Sequence, residues 1–282
     1  MRQVRLYNGV MMPSIGFGTF QIPVEETERC VSDALEVGYR MIDTAEAYFN
    51  EKEVGDAIRN SGLRREEIFV STKLWVQNYG TDDALRAFDR SMKRLGLDYV
   101  DLYMLHKPYG NYYAAWRVLE RLYNEGRIKA IGVTSFTDER LQDLFLHNEI
   151  KPMVNQIETN PWCQQKTANV FLAKEGIQQE AWSPFAEGKD GIFQNAVLTE
   201  IAKAHGCTVG QVILRWLNQR GVVVLPKSVH KERMAENIDI FNFRLSEAEM
   251  RRIAGLDGTA APVVNPDDMG VSRYISTHTF KQ

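Results

Sequence analysis

Short apolar runs alternate with helix-like stretches along most of the 282-residue chain. Eight of these runs predict strands, which cover residues 14–18, 39–43, 68–73, 99–106, 129–134, 153–158, 177–182 and 222–227. Five intervening stretches carry apolar residues at helical spacing, at residues 24–37, 84–95, 114–124, 138–148 and 208–218. Gly38 and Gly96 directly follow the first two stretches and are typical helix ends. The pattern therefore predicts repeated units of one strand and one helix.

Such a repeat predicts right-handed βαβ connections and a parallel sheet. Eight units in a chain of this length favour a closed α/β barrel, the (β/α)₈ or TIM type, over an open doubly wound sheet. No linker or low-complexity segment divides the sequence, so we expect one domain spanning residues 1–282. Residues 4–6 and 10–12 flank Asn8 and Gly9, which predicts a β-hairpin that closes the bottom, N-terminal face of the barrel. The aperiodic tail after Leu256 is expected to be a loop over the opposite face.

Composition and charge narrow the class of protein. Hydrophobic residues make up 44% of the chain and charged residues 25%, as in ordinary soluble proteins. The weak net charge of -3 predicts neither a nucleic-acid nor a membrane partner. The chain lacks a secretory signal and a membrane-spanning run, so we expect a cytoplasmic protein. Cys30, Cys163 and Cys207 are widely spaced and are expected to be reduced packing residues.

Polar and aromatic side chains stand at the ends of the predicted strands, where core residues would be expected: Asp43, Lys73, His106, Gln156, Glu158, Trp182 and Lys227. Taken singly, the lysines suit solvated strand ends, the histidine a hydrogen-bonded core residue and the aspartate a helix cap. In a parallel barrel, however, all these ends open on one face. Tyr48 lies on the loop after Asp43, so together these residues predict a site that handles protons.

The chemistry of this set can be predicted from the side chains alone. A tyrosine in water has a pKa of about 10, and a nearby ammonium favours its phenolate. Lys73 could supply that charge, and Asp43 could balance and orient the lysine. His106 could donate a hydrogen bond to a substrate carbonyl. The set is suited to protonating an oxygen atom.

Seven separated motifs carry a resemblance to a known family. They are GFGTF at 16–20, MIDTAEAY at 41–48, STKLW at 71–75, LGLDYVDLYMLH at 95–106, NQIETNP at 155–161, AWSP at 181–184 and LPKSVHKERMAEN at 225–237. Over nearly its whole length the chain resembles the aldo-keto reductases of the bacterial type. Seven motifs in the same order are far more specific than one short motif. The family is a (β/α)₈ barrel, in agreement with the pattern of strands and helices.

The resemblance implies NADPH-dependent reduction of aldehydes or ketones, with NADP⁺ as the oxidised product, a small-molecule carbonyl substrate and a monomeric protein. It places the family's catalytic tetrad on Asp43, Tyr48, Lys73 and His106, with Tyr48 as the general acid, and it requires no metal. Some barrel proteins of this kind bind the nucleotide as regulators with little turnover, which is the alternative. A metal enzyme would need converging His and acid ligands, and the chain has five histidines.

The resemblance also implies binding residues. Gln156, Thr134 and Ser135 would hold the carboxamide and Trp182 would stack on the nicotinamide. The remaining cofactor residues are Gly18, Thr19, Phe20 and Asp43, then Ser183 and Phe185 for the pyrophosphate, Lys227, Ser228 and Arg233 for the 2′-phosphate, and Asn237 near the adenine. Substrate contacts are expected from Phe20, Tyr48, Trp75, His106 and Lys107. A helix start with cations after the eighth strand suits a dianionic phosphate.

Three departures from the family pattern affect these expectations. Thr134 and Ser135 replace the usual Ser-Asn pair, so carboxamide anchoring is expected to be weaker or to use water. Lys107 replaces a common tryptophan and either favours anionic substrates or points to solvent. The connection after His106 is short, which predicts a more open site. Tyr109, Tyr112 and Tyr113 in that region either form new walls or pack beneath the loop.

Overall fold

The computed structural model describes residues 2–265 and 268–280 and folds them around a closed parallel barrel. Its eight strands are β3 (Phe17–Gly18), β4 (Met41–Asp43), β5 (Phe69–Leu74), β6 (Leu102–Leu105), β7 (Ile131–Thr134), β8 (Val154–Glu158), β9 (Gln178–Trp182) and β10 (Val223–Val224). Each strand pairs in parallel with the next. A parallel bridge between Ile15 and Val224 joins the first strand to the last. The predicted (β/α)₈ fold is therefore confirmed.

Helices follow the strands and surround the barrel. Those with eight or more residues are α1 (Val24–Glu36), α2 (Glu51–Asn60), α3 (Thr81–Leu95), α4 (Tyr112–Asn124), α5 (Asp138–Leu146), α6 (Lys166–Glu175), α7 (Ala196–His205), α8 (Val209–Gln219), α9 (Lys231–Ile238), α10 (Glu247–Ala254) and α11 (Met269–Thr277). In α3, Asp82 and Asp83 complement the positive N-terminal end, and Gly96 ends the helix at φ 62°. The five predicted helices are present, with ends that differ from the prediction by no more than three residues; the largest difference is α3, which begins at Thr81 instead of residue 84.

The N-terminal hairpin lies across the bottom of the barrel, as predicted. It consists of β1 (Gln3–Arg5) and β2 (Met11–Pro13), which pair in antiparallel fashion. The Asn8 side chain donates a hydrogen bond to the carbonyl of Lys129, which precedes β7, at 3.0 Å. Met12 is fully buried. The hairpin thereby covers the N-terminal ends of the strands and leaves the other face available for the site.

The C-terminal tail reaches over the opposite face, but the prediction that it is a loop was wrong. Residues 269–277 form α11, and the Asp268 side chain caps its N-terminus. None of the residues of α11 is fully buried, although Val271, Tyr274 and Ile275 repeat at helical spacing. The segment after α11 contacts the barrel through Trp75, whose indole N–H donates to the carbonyl of His278 at 3.2 Å.

The barrel and the inner faces of the helices form one hydrophobic core. Cys30 is buried within it, and Cys163 and Cys207 are half-buried free thiols. No helix in the described ranges is long and apolar enough to span a bilayer. Among these same residues, no cluster of three or more His, Cys, Asp or Glu side chains has the arrangement of a metal site.

Candidate active site

A cavity of about 1140 Å³ opens at the C-terminal ends of the strands. Most of the residues predicted to bind substrate or cofactor line it: Gly18, Phe20, Asp43, Tyr48, Trp75, His106, Lys107, Thr134, Gln156, Trp182, Ser183, Phe185, Lys227, Ser228, Arg233 and Asn237. Three predicted residues do not line it. Lys73 is fully buried behind the wall, and Thr19, also buried, donates its hydroxyl to the backbone carbonyl of Asp43. Ser135 lies behind Lys107, which lines the cavity and donates a hydrogen bond to the Ser135 hydroxyl.

Strand pairing brings Asp43 and Lys73 together. Asp43 ends β4 and lies opposite Ser71 in β5, so Lys73 follows two residues later on the same face. The Lys73 ammonium donates to the Asp43 carboxylate at 2.5 Å and to the Thr44 carbonyl at 2.9 Å. The Ser71 hydroxyl donates to the other carboxylate oxygen at 2.7 Å. Burial lowers the pKa of Lys73, but the charge and hydrogen bond of Asp43, together with Tyr48 and Glu180, raise it above its ordinary value.

Tyr48 lies next to this ion pair. It ends the short 3₁₀ turn Glu46–Tyr48 that follows β4, and the Lys73 ammonium donates to its hydroxyl at 3.5 Å. Burial raises the pKa of Tyr48, whereas Lys73 lowers it, and the net direction is upward. The ammonium acts in the direction expected from the sequence, but burial outweighs it. Tyr48 is therefore a neutral phenol at pH 7, able to donate a proton.

His106 faces Tyr48 across the floor of the cavity. Their ring centroids lie 5.6 Å apart, and the His106 ring also contacts Trp75 at 5.1 Å. Burial, together with the charges of Lys73 and Lys107, holds the pKa of His106 well below its usual range, so the imidazole is neutral at pH 7. Its Nδ1 is buried and has no hydrogen-bond partner among the described residues. Nε2 is therefore the ring nitrogen left to contact a ligand.

Gln156 links Asp43 to a second buried acid that the sequence reasoning missed. Its amide nitrogen donates to Glu180 at 2.7 Å and to Asp43 at 3.2 Å. Glu180 lies opposite Gln156 in the ladder between β8 and β9 and is fully buried. Burial first, and then the charge of Asp43, raises the pKa of Glu180 to about 8. The only signal in the sequence was an acid within the strand QQEAW.

Thr134 and Ser135 occupy the corner beside Gln156. The Thr134 hydroxyl donates to the backbone carbonyl of His106, so its oxygen can offer a ligand only acceptor capacity. Ser135 has a left-handed backbone at φ 60°, and its N–H donates to the Gln156 carbonyl at 2.9 Å. Its hydroxyl oxygen accepts a hydrogen bond from Lys107 at 3.3 Å. The two hydroxyls therefore present an acceptor and a donor side by side.

The other end of the cavity carries exposed cations and unpaired polar atoms. Lys227 and Arg233 are exposed, and neither forms an ion pair with another described residue. Arg233 lies in the first turn of α9, where the helix dipole favours an anion. The hydroxyl of Ser183 is buried and has no partner within the described ranges, and the same holds for the indole nitrogen of its neighbour Trp182, whose ring lies toward Lys107. This end is suited to a ligand that carries phosphate groups.

Aromatic residues from the tail complete the mouth of the cavity. Phe280 contacts Trp75 at 5.4 Å between ring centroids, and Tyr274 also lines the opening. Tyr109, Tyr112 and Tyr113 are not among the lining residues: Tyr112 packs against Phe136, and Tyr109 shares a hydrogen bond with Ser272 of α11. The sequence placed the tail over this face of the barrel but did not identify Phe280 and Tyr274 as walls of the cavity.

Glu158 holds part of this tail against the site. Its buried carboxylate accepts hydrogen bonds from the backbone N–H groups of Val263, at 2.7 Å, and Val264, at 3.2 Å. Both valines line the cavity. The acid at the end of β8, which the sequence placed at the mouth, thus anchors the segment that follows α10.

Comparisons with known proteins identify the family to which the chain belongs. A sequence model described as the Aldo/keto reductase family matches residues 14–257. Glyoxal reductase of Bacillus subtilis is 46% identical over 268 residues, 94% of this chain and 96% of that protein. Methylglyoxal reductase DkgA of Escherichia coli K12 is 42% identical over 95% of this chain and 98% of its own. The structure of a Bombyx mori aldo-keto reductase in complex with NADP superposes with a TM-score of 0.90 at 33% identity, over 95% of this chain and 96% of that one. The chain belongs to the aldo/keto reductase family.

Proposed function

We propose that this protein reduces aldehydes and ketones to alcohols with NADPH, and that Asp43, Tyr48, Lys73 and His106 carry the reaction. The observation that carries the proposal is the contact of the Lys73 ammonium with both the Asp43 carboxylate and the Tyr48 hydroxyl at the cavity floor. The names of two relatives, glyoxal reductase and methylglyoxal reductase, support the reduction of carbonyl groups.

The side chains of the cavity fit a nicotinamide dinucleotide phosphate. Lys227 and Arg233 suit the extra phosphate, and the unpaired Ser183 hydroxyl suits a pyrophosphate oxygen. Gln156 and the Thr134 hydroxyl suit a carboxamide beside the Trp182 ring. Because a 2′-phosphate would give the two exposed cations a partner, NADPH should be preferred over NADH.

Each catalytic side chain has a separate task. When bound, NADPH supplies the hydride that reaches the carbonyl carbon. The His106 Nε2–H holds the carbonyl oxygen, and Tyr48 transfers its proton to that oxygen. Lys73 stabilises the phenolate that Tyr48 then becomes, and Asp43 keeps the lysine charged and in place. In the reverse direction the same phenolate accepts the proton of an alcohol.

The proposal is tested by NADPH oxidation with a reactive aldehyde in the wild type and in Tyr48→Phe. We expect kcat to fall by at least about 100-fold, because the proton donor is lost, while the dissociation constant for NADPH changes little. Tyr7→Phe is the matched control, since the Tyr7 hydroxyl donates to the carbonyl of Lys151 at the bottom of the barrel.

Two results would count against the proposal. Unchanged turnover in Tyr48→Phe would remove Tyr48 as the acid. Tight NADPH binding by the wild type without turnover of any carbonyl compound would favour the alternative, a nucleotide-binding regulator of the same fold.

A further inference from the structure

Lys107 places an ammonium group beside the catalytic imidazole. It directly follows His106 at the end of β6, and both residues line the cavity. Its Nζ donates to the Ser135 hydroxyl at 3.3 Å and lies 5.5 Å from the centroid of the Trp182 ring. The half-buried side chain thus points into the site, which removes the expectation that it turns to solvent.

This ammonium has no carboxylate partner within the described ranges, and it differs in this from the other lysine of the site. Lys73 is neutralised by Asp43 at 2.5 Å, whereas Lys107 forms no ion pair of 4.0 Å or less with a described residue. Its neighbours are a hydroxyl group and an aromatic face, which compensate a buried positive charge only in part. Beside His106, the cavity therefore holds a positive charge that pairs with no carboxylate among the described residues.

The charge of Lys107 depends on pH near neutrality. Burial and the positive charge of Lys73 lower the pKa of Lys107 to about 8, and the Glu158 carboxylate opposes this shift. His106, its chain neighbour, is neutral at pH 7 and adds no charge. At pH 7 about nine molecules in ten carry the ammonium, and by pH 9 about one in ten does. Any role that needs the charge must fade over this interval.

We propose that Lys107 is an anion subsite and that the preferred substrates are aldehydes or ketones bearing a carboxylate group a few bonds from the carbonyl. The inference rests on the proposed function and deepens it by naming the substrate class. The carboxylate takes no part in the chemistry: it accepts a hydrogen bond from the Lys107 ammonium and orients the carbonyl toward His106 and Tyr48. A charged hydrogen bond of this kind corresponds to about a 10- to 100-fold gain in kcat/KM.

Two matched substrate pairs test the subsite: 4-oxobutanoate with its methyl ester, and 4-formylbenzoate with its methyl ester. In each pair the ester keeps the carbonyl and the chain but lacks the charge. We expect Lys107→Met, which removes the charge but keeps a long unbranched side chain, to lower the acid-to-ester ratio of kcat/KM by about 10- to 100-fold, and Lys107→Arg to retain most of it. Lys203→Met, on the exposed surface of α7, is the control and should leave the ratio unchanged.

The dependence of the acid-to-ester ratio on pH supplies a second readout, which would not change if Lys107 only packed against its neighbours. In the wild type the acid-to-ester ratio should fall as pH rises from 7 to 9, because the ammonium loses its proton. In Lys107→Arg the ratio should stay flat, because a guanidinium remains charged throughout. Equal losses on both members of each pair in Lys107→Met, or a wild-type ratio independent of pH, would overturn the subsite.

A binding experiment distinguishes failure of this inference from failure of the proposed function. Calorimetry with the protein saturated in NADP⁺ measures affinity for 4-oxobutanoate and for its ester without turnover. If no aldehyde is reduced but the acid binds at least tenfold tighter than the ester in a Lys107-dependent way, the proposed function fails and the subsite stands. If aldehydes are reduced and Lys107→Met alters only the affinity for NADP⁺, the lysine belongs to the cofactor site and the anion subsite is wrong.

Discussion

Replacing Glu180 with glutamine should make the stability of the protein less dependent on pH. Glu180 is fully buried, and burial together with Asp43 raises its pKa from 4.5 to about 8. Between these two values the native protein holds a proton at Glu180 that the unfolded chain has lost. The free energy of unfolding therefore falls as pH rises through this window.

The magnitude follows from the size of the shift. Each pH unit within the window costs about 1.4 kcal/mol, so raising the pH from 5 to 7.5 should cost the wild type about 3 kcal/mol through Glu180. Glutamine does not ionise and removes this contribution. At pH 5 the variant should be less stable than the wild type by about 1–3 kcal/mol, because one oxygen of Glu180 has no partner within the described ranges and an amide N–H there would be unsatisfied.

The assay is equilibrium urea unfolding of both proteins at pH 5 and pH 7.5. The quantity compared is the difference in free energy of unfolding between wild type and variant. Other titrating groups affect both proteins alike, so a change in this difference between pH 5 and pH 7.5 reports on Glu180. We expect this difference to move by about 3 kcal/mol in favour of Glu180→Gln at the higher pH. Exposed Glu149 provides the control. The free energy of unfolding of Glu149→Gln should differ from that of the wild type by the same amount at pH 5 and at pH 7.5. If the difference between Glu180→Gln and the wild type is also the same at both pH values, the raised pKa of Glu180 is refuted, and with it the conclusion that Glu180 is protonated in the native protein.

Two further predictions concern the tetrad and the cofactor. Asp43→Asn leaves the Lys73 charge buried without its partner, so we expect on the order of a 100-fold loss of kcat and a loss of about 3–5 kcal/mol of stability, with a smaller change in NADPH affinity. Steady-state kinetics, urea unfolding and NADPH titration check this, and equal losses of kcat and NADPH affinity would make Asp43 chiefly structural. Replacing Lys227 and Arg233 together with methionine should lower the NADPH-to-NADH ratio of kcat/KM by about 10- to 100-fold. An unchanged ratio would place the extra phosphate elsewhere.

The sequence predicted the order and type of the barrel strands but not their lengths. Residues 99–106 carry mostly apolar side chains, yet only Leu102–Leu105 is a strand, and Val100 makes a single bridge to Ile128. Apolar character marks everything that packs in the barrel, whereas a strand requires neighbours in register on both sides. Those neighbours come from distant parts of the chain, so the ends of the strands cannot be predicted locally.

The site residues that stand at the ends of strands could be predicted from the sequence. Asp43 and Lys73 could be expected to meet because both stand at the ends of adjacent parallel strands. Glu180 lies within a strand instead of at its end, and its contact with Gln156 depends on which residues face inward across two strands. The walls contributed by α11 were missed for a different reason: the helical spacing of Val271, Tyr274 and Ile275 was overlooked in a tail rich in Gly, Pro and Asp.

The cavity floor explains why β4 ends on a carboxylate. Asp43 and Glu180 are two acids near one ammonium, and only Asp43 contacts Lys73 directly, so Glu180 is more stable in its protonated form. Gln156 has two amide N–H groups and meets one acceptor on each acid, which fixes its orientation. Its carbonyl oxygen is thereby left to accept a hydrogen bond from a ligand in the cavity. Asp43 thus has two effects: it keeps Lys73 charged beside Tyr48, and it orients the Gln156 amide.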